Sequence, residues 1–467
     1  MRILLAVCLL HLGYFQKAVA QDSTLVLTLD GIYSQVLNNH PVARQANLLS
    51  ESAQMNIRIS RGYFDPKVYS QYSGKEFKGS NYYRLWDSHL KIPMWVGDLK
   101  VGYEKNTGIN LNPQSDTNSG KGLAYAGIEL PILQGMLIDE RRAALREAQA
   151  MQQEAEAERV NKINKLMLQI AKDYWTWYFA YHQYQLAEKG FNLAKFRYNA
   201  VKQEVVQGTL AAIDSTEAKI TIQQREIDLK MALLELNNSR LVLSNHLWDE
   251  NGSPLEMDSE LRPVERPSVS LTDIDMAQLE QMAAQQHPEL RLIDSKLSQL
   301  EVQRKLAAEM LKPTLNLKYN FLSKTPISSN EYNMDFFEEN YKLGVDFSFP
   351  LFLRKERGKL KLTKVKLEQT GLKRVEASRT IQNNLRAQYN KANNLNNLVS
   401  MQAEMAQNYR KLLSGEEQKF QAGESSVFYV TVREGKLLEA ETKLFKIWSE
   451  FAKSIAELKW AAGLGVQ

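Results

Sequence analysis

The side chains best suited to chemistry are the histidines that follow the N-terminal segment: His40, His89, His182, His246 and His287. They do not form an HExxH pair, and the only cysteine is Cys8, so neither a zinc hydrolase nor a thiol nucleophile is encoded. No Walker-type phosphate loop and no GxSxG elbow occurs, and Gly13 and Gly31 belong to no dinucleotide fingerprint. His40 and His287 each precede a proline in matching contexts, which points to a structural role at a helix start. The reading is therefore of a protein without catalysis, metal or cofactor. Any work it supports must be driven by a partner.

The chain has 467 residues, 44% of them hydrophobic and 24% charged, and its only uninterrupted apolar run is at the N-terminus. A polytopic helical membrane protein is excluded, so any membrane-spanning part must be β. Met1 and Arg2, the apolar run Ile3 to Leu12 and the small-x-small pattern Ala18-Val19-Ala20 predict a signal peptide over 1–20, cut before Gln21. Cleavage removes Cys8, leaving no disulfide chemistry. Losing Arg2 and Lys17 takes the basic count from 59 to 57 against 54 acids, a net +3 that argues against nucleic acid as a partner.

The elements that would position any site come in two copies. At an offset of 247, His40-Pro41, Arg44, Pro66 and Tyr72 reappear as His287-Pro288, Arg291, Pro313 and Tyr319. At an offset of 217, the seven-residue ladder Ile213, Ile220, Ile227, Leu234, Leu241 reappears as Val430, Leu437, Leu444, Phe451, Leu458. The first repeat is placed at 21–250, an equatorial linker at 251–270 and the second repeat at 271–467. Pro66 to Pro131 spans 65 residues but Pro313 to Pro350 only 37, so 28 extra residues lie in the first copy.

Each copy reads as helix, strands, long helix, turn, helix. The opening helices are expected from about Leu29 to Arg61 and from about Asp273 to Leu311, each ending before a proline. The long helices are expected to start after Pro131 and Pro350 and to run as coiled coil to turns at Gly208 and Gly423. Seven aromatics, Tyr174, Trp175, Trp177, Tyr178, Phe179, Tyr181 and Tyr184, surround the first long helix, which predicts a further layer of structure over it.

The strand segments carry the functional argument. Leu315, Leu317, Tyr319 and Phe321 alternate with polar residues, as do Tyr341, Leu343, Val345, Phe347 and Phe349. Segments of this length and period suit a barrel wall that is apolar towards lipid and polar towards water, although a soluble hairpin would read the same way. The first copy supplies Lys67 to Phe77 and Leu123 to Leu130, with another alternating stretch around Gly97-Asp98 in its surplus. An open sheet edge is not tolerated in lipid, so the barrel reading requires several copies to share one wall.

With the Asn39-His40-Pro41 and Gln286-His287-Pro288 helix starts, the Leu130-Pro131 and Phe349-Pro350-Leu351 strand ends and the glycine turns, the chain resembles the TolC-type outer-membrane efflux family. The resemblance covers nearly the whole mature chain. It implies a mainly α fold with a β-barrel part: long antiparallel coiled-coil helices, and a homotrimer whose chains give four strands each to a shared twelve-stranded barrel. It also implies an outer-membrane channel continued as a periplasmic tunnel, the passive exit duct of a tripartite efflux or type I secretion system. A periplasmic adaptor and an inner-membrane pump of RND, ABC or MFS type would be its partners, with outer-membrane lipid around the barrel. In the family the helical turns form the tunnel's periplasmic tip. Gly208, Ile213 and Asp214 look like the first, with Asp214 either a gating acid or simply a helix N-cap. Gly423, Val427 and Tyr429 form the second, with Tyr429 where an acid is expected, implying a partly aromatic constriction. The alternatives are a periplasmic adaptor protein or a structural periplasmic coiled coil.

Overall fold

The computed structural model describes residues 26–117, 120–265, 271, 275–323 and 340–465. The expected signal peptide, part of the linker and most of the loop joining the last two strands lie outside them. About two-thirds of the chain is helical. In chain order the elements are β1 (Val26–Leu27), α1 (Leu29–Asn39), α2 (Pro41–Arg61), β2 (Lys67–Phe77), β3 (Ser80–Pro93), β4 (Asp98–Thr107) and β5 (Leu123–Pro131). Then follow α3 (Glu140–Val206), α4 (Ala212–Ser244), β6 (Arg262–Pro263), α5 (Met276–Gln286), α6 (Pro288–Glu309), β7 (Thr314–Ser323), β8 (Tyr341–Ser348), α7 (Arg354–Gln421) and α8 (Val427–Ala461). Two compact units result. The first takes the chain up to Val36, from Ile170 to the linker, and from Asn397 to Lys453; the second takes the intervening segments.

Each expected opening helix is two helices. Pro41 and Pro288 have no N–H and force the preceding residue out of helical geometry. His40 (ψ 134°) and His287 (ψ 126°) are accordingly extended N-caps. Each imidazole Nδ1 accepts a hydrogen bond two residues on, from the Val42 N–H at 3.1 Å and the Glu289 N–H at 3.2 Å. The His-Pro pair is thus a capping device used once per repeat.

The long helices are α3, with 67 residues, and α7, with 68. At 1.5 Å per residue each has a contour length of about 100 Å. α3 begins at Glu140 rather than just after Pro131, because the segment between is tied down as a loop. The buried Glu309 carboxylate accepts the N–H groups of Gly135 and Leu137, both at 3.2 Å, and buried Arg142 donates to the Met136 carbonyl at 3.0 Å.

In the first unit, Tyr174, Trp175, Trp177 and Tyr178 are buried, while Phe179, Tyr181 and Tyr184 are half-buried. The layer over them is the short parallel ribbon β1–β6, which pairs Val26 with Arg262 and Leu27 with Pro263. Tyr174 Oη donates to the Leu27 carbonyl at 3.0 Å and Tyr178 Oη to the Glu265 carbonyl at 3.2 Å, so the phenols satisfy backbone groups that burial would otherwise orphan. The second unit packs Ala283, Leu290 and Ile293 with Ile381, Leu385 and Leu458.

The sheet of the second unit has six strands, not the four that the resemblance implied. Its order is β2-β3-β4-β5-β7-β8, antiparallel throughout. The difference is the surplus found in the first copy: Ser80 to Thr107 (107 − 80 + 1) is 28 residues, and these form β3, a tight turn and β4 between β2 and β5.

The two apolar ladders are not equivalent either. Ile213, Ile220, Ile227, Leu234 and Leu241 are exposed, whereas Val430, Leu437, Phe451 and Leu458 are buried. Helix starts and glycine turns match at an offset of 215, as Ala212 to Val427 and Gly208 to Gly423. An offset of 217 therefore moves two residues around the helix, about 200° and nearly the opposite face. At the 215 offset Phe451 and Leu458 match Leu236 and Leu243, which are buried, whereas Val430 and Leu437 match Ser215 and Ile222, which are half-buried.

Candidate functional site

Two features carry chemistry, one in each unit. In the sheet, pairing register builds two faces of opposite character. One row across all six strands is Val68, Leu90, Val101, Ala126, Phe321, Tyr341; the next is Ile92, Leu99, Ile128, Tyr319, Leu343. Leu130, Leu317, Val345 and then Leu315, Phe347 continue the same face. Much of it is uncovered: Val68 is 79% exposed, Tyr72 66%, Val345 60% and Phe347 67%. A contiguous apolar surface of this size is not left to water in a stable protein. All the expected strand residues lie on this face except Phe349, which follows the end of β8.

The opposite face is polar and laced with ion pairs. Lys91 and Arg141 both hold Asp98, at 2.9 and 2.8 Å. Lys100 pairs with Glu129 at 2.7 Å, and Lys318 bridges Glu129 and Asp346. Tyr125 Oη donates to Asp87 at 2.8 Å. Of these, Lys318 and Asp346 are polar positions of the two alternating segments read from the sequence. Apart from Arg141, which opens α3, each sits at a polar position of a strand, but only the register brings Lys100 and Glu129, or Lys318 and Asp346, side by side.

The second feature is the pair of helical turns in the first unit. At both turns a glycine adopts positive φ, Gly208 and Gly423 at +78°, a conformation that only glycine takes without strain. The hydrogen bonds repeat as well: Thr209 N–H to the Glu204 carbonyl at 3.0 Å, Glu424 N–H to the Lys419 carbonyl at 2.9 Å. Asp214 and Tyr429 occupy the same position, third in α4 and third in α8. Asp214 is thus not the N-cap. That place is taken by Ala211, whose backbone N–H donates back to the Asp214 carboxylate at 3.1 Å, half of a capping box.

The second turn uses a different lock. Glu416 accepts from Ser425 Oγ at 2.6 Å and from Arg433 at 3.4 Å, and these bonds, Ser425's first, hold its carboxyl below the usual range. Ile213 is 74% exposed, Phe428 54% and Tyr429 53%. Asp214 lines a cleft of about 680 Å³ together with Arg197, Glu204, Glu217, Arg225 and Phe428; Tyr429 does not line it.

The histidines stay apart. His40 and His287 cap helices, His246 pairs with Asp173 at 2.8 Å, His89 lies 3.2 Å from Asp87, and His182 stacks on Phe445 at 4.2 Å. Among the described residues no cluster of three or more His, Cys, Asp or Glu could hold a metal ion, and no helix is long and apolar enough to cross a membrane.

The model of the outer membrane efflux protein family matches residues 32–247 and 279–464, one segment per repeat and most of the chain. The chain belongs to this family. No curated protein matches by sequence. Among solved structures, the CmeC outer membrane channel of Campylobacter jejuni superposes with a TM-score of 0.63 at 15% identity, covering 93% of this chain and 85% of that one. The open state of the Neisseria gonorrhoeae MtrE outer membrane channel gives 0.64 at 15% identity, over 94% and 89%. The Vibrio cholerae outer membrane protein VceC gives 0.63 at 14% identity, over 94% and 97%. At such identities the likeness is one of fold.

As a member of the outer membrane efflux protein family the chain is an outer-membrane channel that extends into the periplasm, a passive exit duct rather than an enzyme or an adaptor. Channels of the family are typically trimers and act with periplasmic adaptors and inner-membrane pumps.

Proposed function

We propose that the working unit is a homotrimer whose sheets close one barrel in outer-membrane lipid. The observation that carries this is the six-stranded sheet with an exposed apolar face and two open edges. Among the described residues β2 and β8 each pair on one side only. In lipid, unpaired backbone groups cost several kcal/mol each, so the edges must find partners. With an even number of antiparallel strands, β2 and β8 run in opposite directions, and β8 of one copy can pair antiparallel with β2 of the next. On this reading Leu315, Leu317, Tyr319, Phe321, Tyr341, Leu343, Val345 and Phe347 face lipid, Phe349 lies just past the strand end, and the ion-paired face lines water.

The exposed α4 ladder supports association independently. Ile213, Ile220, Ile227, Leu234 and Leu241 recur every seven residues, as a coiled-coil seam does, yet among the described residues none covers them. A neighbouring copy is the natural cover. The turns at Gly208 and Gly423 then form the periplasmic tip. There Ile213, Asp214, Val427 and Tyr429 narrow the passage with a mixed acidic and aromatic ring, and the cleft beside Asp214 offers a surface to the adaptor. The inner-membrane pump, of RND, ABC or MFS type, supplies the energy, and the cargo is a small toxic molecule or a secreted polypeptide.

The test is to purify the protein from outer membranes, measure the mass of the complex and record conductance in a planar bilayer. A trimer that conducts is expected. A soluble monomer, or a trimer that never conducts, overturns the reading.

A further inference from the structure

The 28-residue surplus is built into the sheet as two full strands. β3 pairs with β2 from Lys67↔Lys91 to Phe77↔Ser80, and β4 pairs with β5 from Asp98↔Glu129 to Glu104↔Leu123. Both faces continue through the half of the insert nearest the helices; towards the far end the β2–β3 register shifts between Lys75 and Glu76. Leu90, Ile92, Leu99 and Val101 extend the apolar rows, while Lys91, Asp98 and Lys100 extend the ion-paired face.

The turn between β3 and β4 is also fastened at the helix-proximal end of the sheet. Trp95 stacks on Phe64, with ring centroids 6.0 Å apart and planes 12° from parallel, and the Arg142 guanidinium lies 5.9 Å over the Trp95 ring. Arg141, from the first turn of α3, reaches Asp98 at 2.8 Å. Gly97 has φ +79°, and a Cβ there would come within 2.4 Å of the Glu129 carbonyl oxygen, so the turn is seated against β5 rather than loosely appended. A flap lying over the sheet would have neither this register nor this anchorage.

We propose that every chain contributes six membrane-spanning strands, so that three copies close an eighteen-stranded barrel whose outer mouth admits larger cargo than a twelve-stranded wall could. The inference rests on the trimeric outer-membrane reading above. With strands about 4.8 Å apart and tilted by about 40°, eighteen strands give a backbone diameter of about 36 Å, against about 24 Å for twelve. The widening concerns the barrel alone and leaves the helical tip unchanged.

The experiment places single spin labels in a Cys8→Ser background by Val101→Cys and Lys100→Cys in β4 and by Tyr319→Cys in β7. It then compares collisions with oxygen and with a water-soluble nickel chelate in the assembled protein in liposomes. The proposal expects Val101 and Tyr319 labels to share the same preference for oxygen, and the Lys100 label to prefer the chelate. A Tyr319 label in lipid with a Val101 label in water would sink the six-strand wall while leaving the channel reading intact. A Tyr319 label in water would sink both. As an independent readout, deleting Ser80 to Thr107 lets β2 pair with β5, and the radius of the largest polyethylene glycol entering the outer mouth should fall by at least about 1.5-fold, the ratio of the backbone diameters, because the inward side chains take the same thickness from both. An unchanged cut-off in an assembled deletion variant would overturn the proposal.

Discussion

The exposed seam of α4 allows the assembly to be perturbed without touching the fold of the chain. Ile227 is 52% exposed and Leu234 58%, so in the proposed assembly roughly half of each side chain's burial energy comes from the neighbouring copy. Full burial of such a side chain is worth about 1.5–3 kcal/mol, which leaves about 1–1.5 kcal/mol per residue for the interface. Replacing both with asparagine forfeits that and adds about 1–3 kcal/mol for each amide left without a partner in a dry seam. The sum is about 4–9 kcal/mol per interface, a weakening of about a thousand-fold or more at 1.4 kcal/mol per factor of ten. Sedimentation of the detergent-extracted protein over a dilution series should therefore show the Ile227→Asn, Leu234→Asn variant dissociating where the wild type stays whole, with unchanged helical content. The contrast is Leu437→Asn in α8. Only 6% exposed, it should lower the stability of the chain itself by about 3 kcal/mol or more. If the α4 double variant assembles as tightly as wild type, the seam is not an interface and the argument from its exposure fails.

Three further outcomes follow from the turns and caps. Asp214→Ala should cost about 0.5–1 kcal/mol of local helix stability by removing the bond from the Ala211 N–H, and should lower the cation preference of single channels; an unchanged reversal potential in a salt gradient would remove Asp214 from the gate. Gly208→Val forces a β-branched residue to φ +78° with no atom within 4 Å of the new Cβ, so its cost of about 1–2 kcal/mol is backbone strain alone, visible as faster proteolysis at that turn. Burial lowers His287 from 6.5 to about 4, and its capping bond requires an unprotonated Nδ1. The unfolded chain then binds a proton that the folded chain refuses, so stability is full above about pH 6.5 and declines as pH falls towards about 4. In thermal melts across that window, His287→Asn, which still caps, should flatten part of the decline.

Much of this protein was legible in the residues because local physics is repeated in them. Proline after His40 and His287 dictates a break and a cap wherever it stands, glycines at 208 and 423 permit the left-handed turn, and a period of two in 315–321 and 341–347 can serve only a two-faced sheet. The seven aromatics on α3 likewise demanded cover, which β1 and β6 supply. Tertiary structure decided what depends on pairing and rotation. Whether the surplus formed a flap or two more strands rested on register with β2 and β5, and that is set by long-range hydrogen bonds that no local pattern encodes. The two apolar ladders look alike in sequence, yet a shift of two residues turns one into the chain's own core and the other outwards, because a helix rotates about 100° per residue.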